Sequence, residues 1–191
     1  MGLFWKTYKT YTDEQLMVAL GKGKKQALDE LYERYSQKMY RYFYRMLAQN
    51  RTKSEDFVQD LFLKLIEKPY LFNPKYKFVS WLYSIASNMC KNEYRRHQYE
   101  WSVDSFVELS EFVQLPNTLD QKLFREYLTK ALATLKPQHQ ECFTLRYEQG
   151  LSIAEISEIM EIPEGTVKSR IFYTLKKLAE HLKIFNPSLS P

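Results

Sequence analysis

The sequence predicts an all-α chain built as two small helical domains joined by an acidic linker. Three observations predict it. Apolar residues recur at steps of three and four along most of the chain, capping boxes mark several helix starts, and glycine is scarce, with 5 in 191 residues. An apolar content of 45% is enough for packed cores and excludes wholesale disorder. The expected division is an arm at 1–11, a first helical domain at 12–97, an acidic linker at 98–118, a second helical domain at 119–185 and a tail at 186–191.

Taken in order, Thr12 with Gln15 forms a capping box that opens a short helix to about Leu20, and Gly21 and Gly23 end it. A long helix follows, with Ala27, Leu28, Leu31, Tyr32, Tyr35, Met39, Phe43, Met46 and Leu47 on its apolar face. After the polar break at 49–53, either Thr52, boxed with Glu55, or Ser54 caps a third helix reaching about Glu67. Its apolar positions are Phe57, Val58, Leu61, Phe62, Leu65 and Ile66. Residues 68–77 form a loop punctuated by Pro69, Asn73 and Pro74, and a helix runs from about Val79 to Arg96. Phe78, Trp81, Leu82, Ile85 and Met89 share one side of it, and Ser84, Asn88, Lys91 and Arg95 another.

The linker has weak periodicity and contains Pro116. Helix resumes near Leu119, with Leu123, Tyr127, Leu128, Ala131, Leu132 and Leu135 as its stripe, and Pro137 breaks it. Cys142, Phe143, Leu145 and Leu151 lead into a helix-turn-helix. Ser152 and Glu155 box its first helix, on which Ile153, Ile156, Ile159 and Met160 recur, and small Ala154 allows close approach. Pro163 starts the second helix, whose Val167, Ile171, Leu175, Leu178 and Leu182 are expected to be buried. Lys168, Ser169, Phe172, Tyr173 and Lys176 lie off that stripe. A helix held by a core on one side and basic on the other fits a major groove, although an ordinary amphipathic hairpin with a solvated basic face shares the spacing.

The net charge of +5 is mild, but its distribution is not. Between 75 and 96, Lys75, Lys77, Lys91, Arg95 and Arg96 meet only Glu93. Between 168 and 183, Lys168, Arg170, Lys176, Lys177 and Lys183 meet only Glu180. The span 98–121 holds Glu100, Asp104, Glu108, Glu111 and Asp120 with no Lys or Arg. This suggests two nucleic-acid surfaces separated by a segment that avoids DNA. In FNPKYK, Lys75, Tyr76 and Lys77 combine charge for phosphate with a ring able to stack on an unpaired base. A solvated face beside a structural loop would look the same.

Cys90 and Cys142 are too few for a disulfide framework and no CxxC or HxxxH spacing exists, which points to reducing cytosol and to no metal or cofactor site. No apolar run approaches the ~20 residues that span a bilayer, so membrane insertion is not expected. His97, His139 and His181 are scattered, and an enzyme is not expected. Asp56 and Asp60 lie one turn apart, but no His or third acid is placed to complete a nuclease-like metal site.

Three segments in this order, SEDFVQDLFLKLIEK (54–68), FVSWLYSIASNMCKNEYRR (78–96) and LSIAEISEIMEIPEGTVKSRI (151–171), resemble the extracytoplasmic-function (ECF) sigma factors of bacterial RNA polymerase. The resemblance spans residues 13 to about 182. It implies that the first domain is sigma region 2 and the second sigma region 4. It places core-polymerase binding on Asp56, Gln59, Asp60 and Lys64, against a coiled coil of the largest subunit, with the flap of the second-largest subunit as a further partner. It matches Asn88 to the amide of a pocket for a flipped base, and with the basic loop and the polar side of that helix the expected −10 promoter contacts are Lys75, Tyr76, Lys77, Ser84, Asn88, Lys91 and Arg95. It places −35 contacts on Thr166, Lys168, Ser169, Arg170, Phe172, Tyr173 and Lys176. Tyr173 departs from the basic residue expected at its position, and 73–77 does not follow the family's loop pattern. The acidic linker would thread the polymerase cleft, and an anti-sigma protein that wedges between the domains is common in the family. A helix-turn-helix regulator that binds an operator without joining polymerase is the other reading; it leaves the helices at 54 and 79 without a task.

Overall fold

A computed structural model of the chain describes residues 8–100 and 121–182. The arm before residue 8, most of the acidic segment and the tail lie outside the described residues. Among the described residues these α-helices follow one another: α1 Asp13–Gly21, α2 Gln26–Met46, α3 Arg51–Glu67, α4 Phe78–Glu100, α5 Gln121–Ala133, α6 Pro137–Phe143, α7 Ile153–Met160 and α8 Glu164–His181. No strand occurs among the described residues, and no helix there is long and apolar enough to cross a membrane.

Helix α1 starts as expected, with the Thr12 hydroxyl accepting the Gln15 N–H and the Gln15 amide accepting the Thr12 N–H. Its Glu14 then caps another helix, because Oε1 accepts the Phe78 N–H at 3.0 Å where α4 begins. Burial alone would raise the Glu14 pKa, but the hydrogen bond from Phe78 and its local partners hold it below the ordinary value. Arg34 on α2 binds Asp13 and Glu30 at 2.8 Å each and donates to the carbonyls of Tyr11 and Lys9, tying residues 9–11 to the bundle.

The start of α3 corrects the sequence expectation. Neither Thr52 nor Ser54 is the cap; Asn50 is, its side chain accepting the Lys53 N–H at 3.0 Å. Ala48 and Gln49 take φ of 50° and 62° and turn the chain sharply after α2, which brings Asn50 to the helix mouth. Ser54 lies one turn inside, buried, with its hydroxyl donating to the Asn50 carbonyl. A second correction concerns α8. Its buried stripe is Val167, Ile171, Thr174 and Leu178, while Leu175 is 41% exposed. Steps of four, three and four keep the stripe in line at 100° per residue, and Leu175 falls one position round from it.

The two helical groups share a core. Leu16, Leu31, Met39, Phe43, Leu61, Leu65, Phe78 and Leu82 from α1–α4 belong to the same buried cluster as Cys142, Leu145, Ile156, Ile159, Val167 and Ile171. Helix α7 lies along α4, and Ala131, Leu132, Phe143 and Leu178 form a smaller cluster behind it. Tyr42 and Tyr83, which the apolar stripes do not include, are buried at the junction with rings 5.4 Å apart.

Polar contacts complete the junction. Tyr42 donates to Glu141 at 2.9 Å, Tyr83 to Gln149 at 2.7 Å, and Arg45 binds Glu148 at 2.7 Å. Glu148 and Gln149 reach that far because residues 144–148 form a π turn, whose extra residue rotates Leu145 inward and turns the following side chains toward the first group.

Candidate nucleic-acid interface

Helix α8 presents the clearest candidate surface. With Val167, Ile171, Thr174 and Leu178 fixed in the core, the opposite side exposes Lys168, Ser169, Phe172, Tyr173 and Lys176. Phe172 is 71% exposed, and Lys168 lies 3.7 Å from Glu164. Thr166 is half-buried beside Val167 in sequence. Two of the predicted residues turn toward α6. Arg170 is half-buried with its guanidinium near the Cys142 thiol, and Tyr173 sets its ring 5.1 Å from that of His139. Burial pushes the Cys142 thiol up to about 11, against the opposing effect of Arg170, so it is an inert core group that also contacts Met160 Sδ at 3.3 Å.

The second surface runs from the loop before α4 along that helix. Pro69–Leu71 is a single 3-10 turn, and Asn73 closes the next turn by accepting the Lys75 N–H at 3.1 Å. Lys75 and Tyr76 project from it, Tyr76 being 67% exposed. Lys77 is exposed but engaged, with Nζ 2.8 Å from Glu155 Oε1 at the start of α7. On α4 itself Asn88 and Arg95 are exposed, Lys91 is half-buried, and the half-buried Ser84 donates to the Ser80 carbonyl. Trp81 is half-buried with its ring 5.1 Å from Phe72, so it packs as core on this side of the helix.

The third set lies on α3. Asp56, Gln59, Asp60 and Lys64 are all exposed, opposite the buried Ser54, Val58, Leu61 and Leu65. Leu63 and Ile66 flank them and are 51% and 43% exposed, so Ile66, one of the apolar positions of this helix, lies at the edge of its buried side. The face therefore mixes charge with apolar surface, as protein docking surfaces do. Among the described residues no three His, Cys, Asp or Glu side chains gather to hold a metal ion.

The helix-turn-helix stays tied to the second surface through Glu155. Its carboxylate is held at about 2, first by the Lys77 ammonium and then by the Ser152 N–H and hydroxyl. The capping box and the basic loop are each legible in the sequence, separately. Their bridge joins residues 78 positions apart, and no local signal announces it.

Comparison with known proteins follows the same division. The family model described as Sigma-70 region 2 matches residues 31–99, and that described as Sigma-70, region 4 matches residues 125–178. The chain is 30% identical to the ECF RNA polymerase sigma factor SigL of Mycobacterium tuberculosis over 150 residues, covering 78% of this chain and 84% of SigL. It is 31% identical to the ECF RNA polymerase sigma factor BldN of Streptomyces coelicolor over 164 residues, covering 84% of this chain and spanning 62% of BldN. The solved structure of CnrH in complex with the cytosolic domain of CnrY has a similar fold. Its TM-score is 0.69 at 22% identity, covering 90% of this chain and 97% of that one.

Proposed function

The chain belongs to the ECF RNA polymerase sigma factors, and from that premise we propose that it is a promoter-recognition subunit that directs core polymerase to its start sites and performs no chemistry of its own. The exposed α8 face carries this reading. Ammonium groups at Lys168 and Lys176 suit phosphates, and the hydroxyl of Ser169 and the rings of Phe172 and Tyr173 suit base edges of a −35 duplex. Arg170, half-buried beside this face, suits a phosphate at its edge.

The loop and helix at 75–95 take the −10 element. Tyr76 stacks on an unpaired base, Asn88 reads the edge of a flipped one, and Lys75, Lys77, Lys91 and Arg95 follow the backbone, with Ser84 lining the same side. Asp56, Gln59, Asp60 and Lys64 bind the coiled coil of the polymerase's largest subunit, and the second domain, at 119–185, meets the flap of the second-largest subunit. The acidic linker at 98–118 follows the positive channel of the cleft. CnrH is bound by CnrY; a comparable anti-sigma partner fits this chain, which acts with polymerase in the cytoplasm.

Reconstitution with core polymerase tests the proposal. Promoter-dependent initiation is expected, and Asp60→Ala should weaken core binding. Tight sequence-specific DNA binding with no initiation on any promoter would instead identify an operator-binding regulator.

A further inference from the structure

Tyr173 is the position where the reading helix departs from its family, and the structure gives it a neighbour that the sequence does not suggest. His139 projects from α6, and its imidazole lies 5.1 Å from the phenol ring at an interplanar angle of 50°. The two helices are locked on the inner side of this pair. The Thr174 hydroxyl donates to the His139 carbonyl at 3.4 Å, and the guanidinium of Arg170, one turn before Thr174, lies near His139 and the Cys142 thiol. His139 Nδ1 is buried with no hydrogen-bond partner, and the ring packs against the phenol of Tyr173. Tyr173 itself remains 47% exposed, between the exposed Ser169 and Lys176 one turn to either side. It thus has one ring edge seated on His139 and the rest on the surface proposed to meet the −35 duplex.

We propose that His139 is a positioning residue for promoter recognition: it holds Tyr173 so that the phenol hydroxyl meets the edge of one base pair, and the two residues together set the preference at that pair. A phenol brings a hydroxyl that both donates and accepts in place of a cation. Its contact is therefore sequence-dependent, whereas an ammonium or guanidinium there would add attraction to phosphate. Seating the ring before DNA arrives removes part of the ordering cost of a contact made by an exposed side chain. The proposal rests on the −35 reading of α8 and adds a residue from outside that helix.

The test uses holoenzyme formed from the full chain and core polymerase, transcribing a template library randomised across the upstream element, with base preference read from sequenced transcripts. Tyr173→Phe and His139→Ala should each flatten the preference at the same single base pair by about tenfold, leaving the other positions unchanged. The double variant should be no worse than Tyr173→Phe, because both changes remove one contact. His139→Phe, which restores a ring without needing a hydrogen bond, should keep the wild-type preference. Uniform weakening at all positions in His139→Ala, no change in Tyr173→Phe, or failure of His139→Phe to restore the preference would each overturn the proposal. Wild-type holoenzyme that initiates without any upstream preference would overturn the −35 reading itself.

Discussion

One carboxylate, that of Glu155, serves two elements: Oε2 accepts the Ser152 N–H at 2.9 Å and its hydroxyl at 2.7 Å, while Oε1 accepts the Lys77 ammonium at 2.8 Å. These partners lower its pKa from the ordinary 4.5 to about 2, with Lys77 the largest cause. A group whose folded pKa is depressed stabilises the fold above its unfolded pKa and loses that contribution as pH falls through the folded one. Glu155→Ala should therefore cost about 1 kcal/mol near neutral pH, the scale of a lost cap. In urea titrations its gap from wild type should shrink between about pH 4.5 and pH 2; a gap of constant size would contradict this assignment.

Tyr42→Phe removes one oxygen and leaves the ring in place. Tyr42 is fully buried and Glu141 is 5% exposed, so the carboxylate loses a donor that water cannot replace without opening the junction. The expected loss is about 1–3 kcal/mol in guanidinium unfolding. A change within a few tenths would mean that Glu141 finds another donor.

Asn50→Ala and Thr52→Ala separate the observed cap from the expected one. The first should cost about 1 kcal/mol, since the Lys53 N–H loses its acceptor, and the second should stay within about 0.5 kcal/mol. Thermal melts of the two variants side by side decide it.

Lys168→Ala should weaken binding of the holoenzyme to promoter duplex and reduce the slope of log affinity against log salt by about one. The nearby Glu164 is an exposed partner at 3.7 Å, too weakly bound to hold Lys168 back from a phosphate. An unchanged slope would remove Lys168 from the phosphate contacts. Asn88→Ala should instead impair strand opening, seen with a fluorescent base in the −10 element, more than duplex binding.

Local chemistry was legible in the sequence, and distant chemistry was not. The boxes at Thr12 and Ser152 need only residues three positions apart, and both form as the sequence predicts. The α8 reading face emerged from periodicity alone, since a helix cannot bury Ile171 without exposing Phe172. Periodicity erred at Leu175 because Thr174, polar but small, fits the core and can bond the His139 carbonyl. The Asn50 cap depends on left-handed backbone at Ala48 and Gln49, for which neither residue type is a signal. The α2 stripe does not include Tyr42, whose acceptor, Glu141, is 99 positions away on a helix that the α2 pattern cannot see.

The common core running from Leu16 to Ile171 governs how the molecule comes apart. Melting either helical group first would strand Met39, Leu82 or Ile156 against water while their neighbours stayed folded, so heat should find one midpoint where the charge pattern suggests two. A nick in the acidic segment would leave fragments that remain associated, gripped by the buried Tyr42 and Tyr83 and by the ion pair of Arg45 with Glu148, and a protease would report two bands from one particle.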